Sequence, residues 1–141
     1  MKIVIAFLLT LPIAWERERH TRSMGLRTFP LVAVASCGYV LTALGFLETD
    51  ENAKARIIQG LMVGIGFIGG GAILKEGVNV RGTATAASVW AIGALGAAVG
   101  YGQYEVAVLM SIVNYFTLRV LTPIGQRIDR IDRSTQDQSE R

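Results

Sequence analysis

The sequence predicts an all-α membrane protein, a bundle of about five transmembrane helices with its N-terminus outside and its C-terminus in the cytoplasm. Three observations support this fold class. Of the 141 residues, 51% are hydrophobic and only 18% are charged. The charges fall into short runs, and the apolar stretches between them approach the roughly 20 residues that a helix needs to cross a bilayer. Positive residues also concentrate in alternate loops, which is the distribution that sets membrane orientation.

Five apolar segments are predicted, in the order Ile3–Trp15, Phe29–Leu47, Ile57–Leu74, Ala84–Val99 and Val106–Leu121. The last four contain 16 to 19 residues each. Helices of this length span a bilayer core with the help of interfacial residues. These four segments are therefore predicted to be membrane-spanning.

The first segment is short, because 13 residues extend only about 20 Å against a core of about 30 Å. It could be a cleaved signal peptide after Lys2, although Trp15 is not the small residue that a cleavage site needs. It could be a tilted or re-entrant helix, or the natural start could lie upstream. We favour a real but shortened helix.

Loop charges predict the orientation. The first loop, the third loop and the C-terminal tail carry most of the basic residues, which are Arg17, Arg19, Arg22, Arg27, Lys75, Arg81, Arg127, Arg130, Arg133 and Arg141. The opposite side has only Lys2, Lys54 and Arg56. Because positive residues mark the cytoplasm, the N-terminus is expected outside.

Two regions are predicted: a membrane domain over residues 1–122 and a cytoplasmic tail over residues 123–141. Pro123 is expected to end the fifth helix. After it, Ile124, Ile128 and Ile131 recur at helical spacing among charged residues. That spacing predicts a short amphipathic helix on the inner membrane face, followed by a disordered end from Ser134.

Glycines are expected to set the helix packing. In lipid, small residues let helix backbones approach closely. The third helix has two such pairs, Gly60 with Gly64 and Gly66 with Gly70, on different faces, so this helix is expected to be central. The fourth helix has a similar pattern, with Gly93, Gly96 and Gly100 at spacings of three and four residues. We expect a homo-oligomer held through these glycine faces.

Several function classes lose support. The net charge of +3 is explained by membrane topology, and no basic, aromatic-interleaved surface indicates nucleic acid. The single Cys37 excludes an internal disulfide. The single His20 lies in a basic loop, so no nucleophile–base pair indicates an enzyme. No carboxylate falls deep within an apolar segment, as proton-coupled carriers usually require. No cofactor is indicated, and Mg²⁺ is the one candidate ligand.

Polar residues gather at the predicted cytoplasmic face. They follow the first helix, open the second, link the third to the fourth and begin the fourth; the members are Glu16, Arg17, Glu18, Arg27, Thr28, Glu76, Asn79, Arg81, Thr83, Thr85 and Ser88. Two interpretations remain open for this cluster. It is a set of caps and loop ion pairs, or it is a binding or gating site under the bundle.

Polar and aromatic residues inside the helices also have expected roles. Asn114 is expected to bond a neighbouring helix, because an unpaired amide is costly in lipid. Arg119 is expected to extend its charge to the cytoplasmic interface. Gln59 is either a packing contact or a lining residue, and Trp90 is expected to pack in the core.

At this point the sequence resembles the MgtC/SapB family of bacterial membrane proteins. Four blocks occur in the family's order, namely residues 16–18 (ERE), 25–28 (GLRT), 66–73 (GFIGGGAI) and 79–90 (NVRG, then TAA and Trp90). The residues that match the family pattern are Glu16, Arg27, Asn79, Arg81, Thr85 and Trp90. Ala14-Trp15 and Thr83-Ala84 depart from it, and a soluble C-terminal domain found in many members does not follow here.

The resemblance implies a multi-pass protein of the bacterial inner membrane that is linked to growth in low magnesium and, in some pathogens, to survival inside host cells. It also implies a membrane protein partner such as the ATP synthase. We expect a regulator of ion homeostasis. A transporter or channel for Mg²⁺ or another cation would instead need a continuous polar path from Gln59 past Asn114 to the cytoplasmic cluster. A purely structural partner subunit would display its small-residue faces to lipid.

Overall fold

The computed structural model describes residues 1–20, 25–46, 50–76, 79–122 and 124–125, without the side chains of His20, Glu51, Glu76 and Asn79. These residues form five α-helices, one β-hairpin and a terminal π-helix. Their bounds are α1 (Lys2–His20), α2 (Thr28–Phe46), α3 (Glu51–Gly70), β1 (Leu74–Glu76), β2 (Asn79–Arg81), α4 (Thr83–Tyr101), α5 (Tyr104–Phe116) and the π-helix (Thr117–Leu121). The predicted all-α class is confirmed.

Three helical runs are long and apolar enough to cross a membrane: α2, α4 and the continuous run Tyr104–Leu121. Helices α1 and α3 are of similar length, with 19 and 20 residues. They differ because charged residues occupy the last turns of α1 and the first turns of α3. The five helices correspond to the five predicted segments, except that α3 ends at Gly70 and Leu74, the predicted end of the third segment, lies in β1. The orientation in the membrane remains a prediction.

Helix α1 extends beyond the predicted apolar segment Ile3–Trp15. Helix α1 continues through the charged residues to His20 and is about 28 Å long at 1.5 Å per residue. Glu and Arg are good helix formers, so the helix does not end where the apolar run ends. As a result Glu16 and Arg17 lie on a bundle helix rather than in a loop.

Two contacts define the two ends of the bundle. Lys2 Nζ donates a hydrogen bond to the Gly100 carbonyl oxygen at 2.8 Å, where α4 ends. At the other end, Arg119 of the π-helix contacts Glu16 near the end of α1. We call these the Lys2 end and the Glu16 end. The β-hairpin and the first turn of α4 lie at the Glu16 end, because α4 runs antiparallel to α1.

Helix α4 is the centre of the bundle and packs against α1, α2, α3 and α5. Its glycines permit this packing. A Cβ added at Gly96 would overlap the Ala33 carbonyl oxygen of α2, and one added at Gly100 would overlap Val40. At Gly93 it would overlap the side chain of Ile65 from α3.

The expectation that α3 is central is therefore wrong. Helix α3 packs on α4 and α2 from the outside of the bundle. Its contacts with α4 include those of Ile65 and Gly69, while its other four glycines are exposed. A Cβ added at any of four positions meets no described atom within 4 Å, and these are Gly60, Gly64, Gly66 and Gly70.

The β-hairpin was not predicted, because strands of three residues are too short to show a two-residue period. Its register pairs Leu74 with Arg81 and Glu76 with Asn79. Gly82 then turns the chain into α4 with a φ of 88°. A Cβ at Gly82 would overlap the Ala72 carbonyl oxygen, so this turn requires glycine.

The predicted C-terminal tail falls almost wholly outside the described residues. Residues 124 and 125 are helical, and the rest of the expected amphipathic helix and the disordered end stay predictions.

Helix α3 begins at Glu51, six residues before the predicted apolar segment that starts at Ile57, because Asp50 caps it. The Asp50 carboxylate accepts a hydrogen bond from the Ala53 amide at 3.0 Å.

Candidate functional site

A line of polar side chains enters the bundle from the Glu16 end, between α1, α4 and α5. We call it the polar tract. Each helix contributes a pair of members and the π-helix contributes one; they are Glu16, Arg17, Thr85, Ser88, Ser111, Asn114 and Arg119. All except Arg119 are less than 10% exposed. Buried polar groups in a membrane protein face the interior of the bundle and mark functional sites more often than lipid-facing ones do.

The outermost layer of the polar tract is an ion pair. Arg119 Nη1 lies 3.2 Å from Glu16 Oε2, with the Glu16 side chain 5% exposed and that of Arg119 54% exposed. Arg119 lies within the π-helix, and single π-helical turns occur frequently at functional sites. Arg119 reaches the surface as expected, but its guanidinium also neutralises a buried carboxylate.

The next layer joins α1 to α4. Arg17 Nη2 donates a hydrogen bond to Thr85 Oγ1, and both side chains are buried. A buried guanidinium is costly unless hydrogen bonds satisfy it. Thr85 is fully buried in the first turn of α4, so this bond fixes the start of α4 against the end of α1.

The third layer of the polar tract is a contact between α4 and α5. Ser88 Oγ donates to Asn114 Oδ1 at 3.1 Å, as expected for an amide that bonds a neighbouring helix. The other atom of the Asn114 amide, Nδ2, is buried and finds no acceptor among the described residues. A buried donor without a partner costs about 1–3 kcal/mol, so this atom calls for a ligand or a water.

Beyond Asn114 the polar tract closes. Ser111 Oγ donates to the Leu9 carbonyl oxygen at 2.6 Å, near the middle of both helices. Toward the Lys2 end the same helices supply only buried apolar side chains of the core cluster, namely Ala6, Leu95, Val99 and Ala107. Within the described ranges the polar tract therefore extends about halfway through the bundle and ends blind.

The structure brings four residues of the predicted cluster together, which are Glu16, Arg17, Thr85 and Ser88. Arg27, Thr28 and Arg81 lie at the same end of the bundle but are exposed or half-buried. The backbone of Asn79 lies in β2, and its side chain is outside the described set.

Trp90 requires a correction. It was expected to pack in the core, but it is 49% exposed on the outer surface of α4. It lies on the opposite side of α4 from Ser88, at 100° per residue. It is therefore not part of the polar tract.

Sequence reasoning missed Ser111 and left Asn114 and Arg119 outside the predicted cluster. The signal was present, since each is a polar residue inside an apolar segment. What the sequence did not provide was the rotation of α5 about its axis. The π-helix changes that rotation, because a wider turn shifts the face on which Arg119 lies.

The chemistry of the tract does not fit a dehydrated Mg²⁺ ion. Mg²⁺ binds carboxylate and water oxygens in near-octahedral geometry. Glu16 is the only carboxylate of the polar tract, and it is paired with Arg119. The described residues also hold no group of three His, Cys, Asp or Glu side chains suited to a metal ion. The tract instead offers guanidinium, hydroxyl and amide donors.

A second concave feature lies between α2 and α3. This groove has a volume of about 430 Å³. Its lining is mostly apolar, and consists of Val32, Ala35, Ser36, Tyr39, Ile57, Gly60, Leu61, Gly64, Ile65 and Ile68. It exists because Gly60 and Gly64 carry no side chain toward α2. We call it the α2/α3 groove.

Comparison with known proteins gives a consistent family assignment. The MgtC family model matches residues 3–127. Protein MgtC of Salmonella typhimurium is 34% identical over 136 residues, which cover 96% of this chain and 58% of that protein. Protein MgtC of Brucella abortus is 36% identical over 124 residues, covering 88% and 51%. An uncharacterised protein of Synechocystis is 35% identical over 129 residues, covering 92% and 54%.

The chain thus spans between 51% and 58% of the length of these curated relatives. No solved structure gives a significant match. The family model covers nearly the whole bundle, including every residue of the polar tract. The chain belongs to the MgtC family, and together with its three membrane-length helices this makes it a multi-pass protein of the bacterial inner membrane.

Proposed function

We propose that this protein supports magnesium homeostasis as a regulator that binds another membrane protein through α3. The name of the curated relatives and the MgtC family connect the chain to magnesium homeostasis. The observation that carries the regulatory part is the outward exposure of two α3 glycines, Gly66 and Gly70, which do not line the α2/α3 groove.

Exposed glycines on a membrane helix are suited to contact with another helix. Association within lipid depends on van der Waals packing, and glycine lets two backbones approach closely. Gly66 and Gly70 lie four residues apart, the spacing of one small-xxx-small face. No side chain of the described chain covers either residue, so the face is available to a partner.

The position of the polar tract supports regulation over transport. A cation path was expected to run from Gln59 past Asn114 to the Glu16 end. Gln59 is exposed on α3, whereas Asn114 bonds α4 from the α5 side. Helix α4 lies between the two residues, and the apolar layer at Leu95 and Ala107 closes the tract toward the Lys2 end.

Two kinds of partner fit this proposal. One is a second copy of the chain, packed through the α3 glycines. The other is a different membrane protein, for which the family resemblance suggests the ATP synthase. The MgtC family is not a known enzyme family, so we propose no reaction for the chain itself.

The test uses variants of α3 that change only its outward face. Gly66→Leu should fill the space that the partner helix would occupy. In a strain that lacks its own copy of the gene, this variant should therefore fail to restore growth in low magnesium. Val63→Leu is the matched control, because Val63 is 71% exposed on the same helix and is already large. Both variants should reach the membrane at the parental level.

Cross-linking in the membrane then identifies the partner. A cysteine placed at Met62, beside Gly66, should trap the partner in the parent background and lose it with Gly66→Leu. Full growth of the Gly66→Leu strain at normal protein levels would contradict the proposal.

A second candidate function, cation transport, is favoured by one observation: the polar tract reaches the middle of the bundle. A direct flux measurement separates it from regulation.

A further inference from the structure

The Asn114 amide is a buried donor that lacks an acceptor within the described part of the chain. Asn114 is 9% exposed, and its Oδ1 is occupied by Ser88. Its Nδ2 makes no hydrogen bond to a described residue. Buried polar side chains in proteins are satisfied in the great majority of cases, and ordered water supplies the partner where protein does not.

The polar groups around Asn114 form a continuous series toward the Glu16 end. Ser88 lies one turn below Thr85 on the same face of α4, and Thr85 is bonded to Arg17. Beside Arg17, the preceding residue of α1 is Glu16, whose partner Arg119 is half exposed. Each step thus offers a water molecule a hydrogen-bonding group, from the exposed end of the bundle to the amide.

The opposite direction offers none. One turn beyond Ser111, the α5 residue is Ala107, which is fully buried, and the facing residues Leu95 and Val99 are equally apolar. A packed apolar layer of this kind stays dry, because water there would find no hydrogen-bonding partner. Water that reached Asn114 would therefore stop in this part of the bundle.

We propose that the polar tract is a hydrated vestibule, open to water-sized hydrogen-bonding ligands from the Glu16 end and closed between Asn114 and Ala107. Its ligand class is water or a small neutral acceptor that bonds Asn114 Nδ2. The vestibule does not depend on the proposed partner at α3, since the two features use different helices.

Cysteine accessibility tests the proposal in the intact chain. The natural Cys37, which is buried in α2, is first replaced by alanine. Single cysteines are then introduced at Ser88, Asn114 and Ala107, and at the exposed Ala84 as the reference for the Glu16 end. The probe is Ag⁺, a thiol-binding cation small enough for a narrow vestibule and unable to cross lipid.

Inside-out and right-side-out membrane vesicles are treated with Ag⁺, and the remaining thiols are counted with a fluorescent maleimide after unfolding in detergent. Ag⁺ should block the thiols of Ser88→Cys and Asn114→Cys, and so protect them from maleimide, in only one of the two vesicle orientations. This should be the orientation in which Ag⁺ also blocks Ala84→Cys. Their protection should be about tenfold faster than that of Ala107→Cys, because access to the thiol limits the rate.

Equal resistance of Ser88→Cys, Asn114→Cys and Ala107→Cys, while Ala84→Cys reacts, would overturn the vestibule. Protection of Ala107→Cys from both sides would overturn its closed end. A variant that does not purify as a single monodisperse species is replaced by Thr85→Cys, one turn nearer the Glu16 end, for which the same outcomes apply. None of these results bears on the growth of α3 variants, so the two proposals fail separately.

Discussion

Arg119 and Glu16 join the last described helical turn to the first helix, with Arg119 Nη1 3.2 Å from Glu16 Oε2 across 103 residues of sequence. The pair closes the ring of contacts among α1, α4 and α5 at the end of the bundle where the polar tract opens. Because the Glu16 side chain is buried and that of Arg119 is half exposed, the pair is partly screened by solvent.

Glu16→Gln should therefore lower the free energy of unfolding in detergent by about 1 kcal/mol or somewhat more, which is modest for a buried carboxylate. Arg119→Gln should have a similar effect, and the double variant should cost less than the sum of the two. The double-mutant cycle measures this coupling directly. Glu105→Gln is the control, because Glu105 is exposed in the first turn of α5. Strict additivity of the two single changes would mean that the ion pair does not form.

The glycines of α4 and α3 should respond differently to the same substitution. Gly96→Ala places a Cβ against the backbone of Ala33, which cannot rotate away, and overpacking of this kind costs about 1–3 kcal/mol. Gly64→Ala meets no described atom within 4 Å and should leave the stability of the chain unchanged or slightly higher, because alanine favours a helix. Thermal unfolding of the purified variants compares them. Equal destabilisation at both positions would mean that α3 is packed more tightly than the structure shows.

A second glycine pair separates backbone strain from a steric clash. Gly82 and Gly102 both have positive φ, 88° and 79°, so alanine at either position should cost about 1–2 kcal/mol. At Gly82 the new Cβ would also overlap the Ala72 carbonyl oxygen, whereas at Gly102 the nearest atom is 3.8 Å away. Gly82→Ala should therefore be clearly more destabilising in the same unfolding assay. Similar losses at both positions would place the Ala72 carbonyl oxygen farther from Gly82 than described.

Hydrophobic patterning predicted the helices well, because in a membrane the apolar length of a segment determines whether it spans. It failed at α1, where the helix continues after the apolar run. Glu16 and Arg17 looked like loop residues for that reason, and their membership of a functional cluster stays a prediction. Hydropathy does not include the helix propensity of Glu and Arg, which continues α1 through its charged residues.

The neighbours of each helix were harder to predict than its existence. Glycine spacing identified α3 and α4 as packing helices, but the same pattern suits contact within one chain and contact with a partner. Only the structure shows that α4 is enclosed and that Gly66 faces outward. Trp90 was misplaced for a related reason, since an aromatic residue in an apolar helix is equally compatible with the core and with lipid.

The central claim is that this protein supports magnesium homeostasis without carrying the ion through its own bundle. The most direct test is Mg²⁺ uptake by liposomes that contain the purified, folded chain, read with an internal magnesium indicator and calibrated with an ionophore. Asn114→Leu is the matched variant, because it removes the innermost amide of the polar tract. Our account predicts no uptake above protein-free liposomes for either protein. Saturable uptake by the parent chain that is lost in Asn114→Leu would contradict it and make the polar tract part of a transport path.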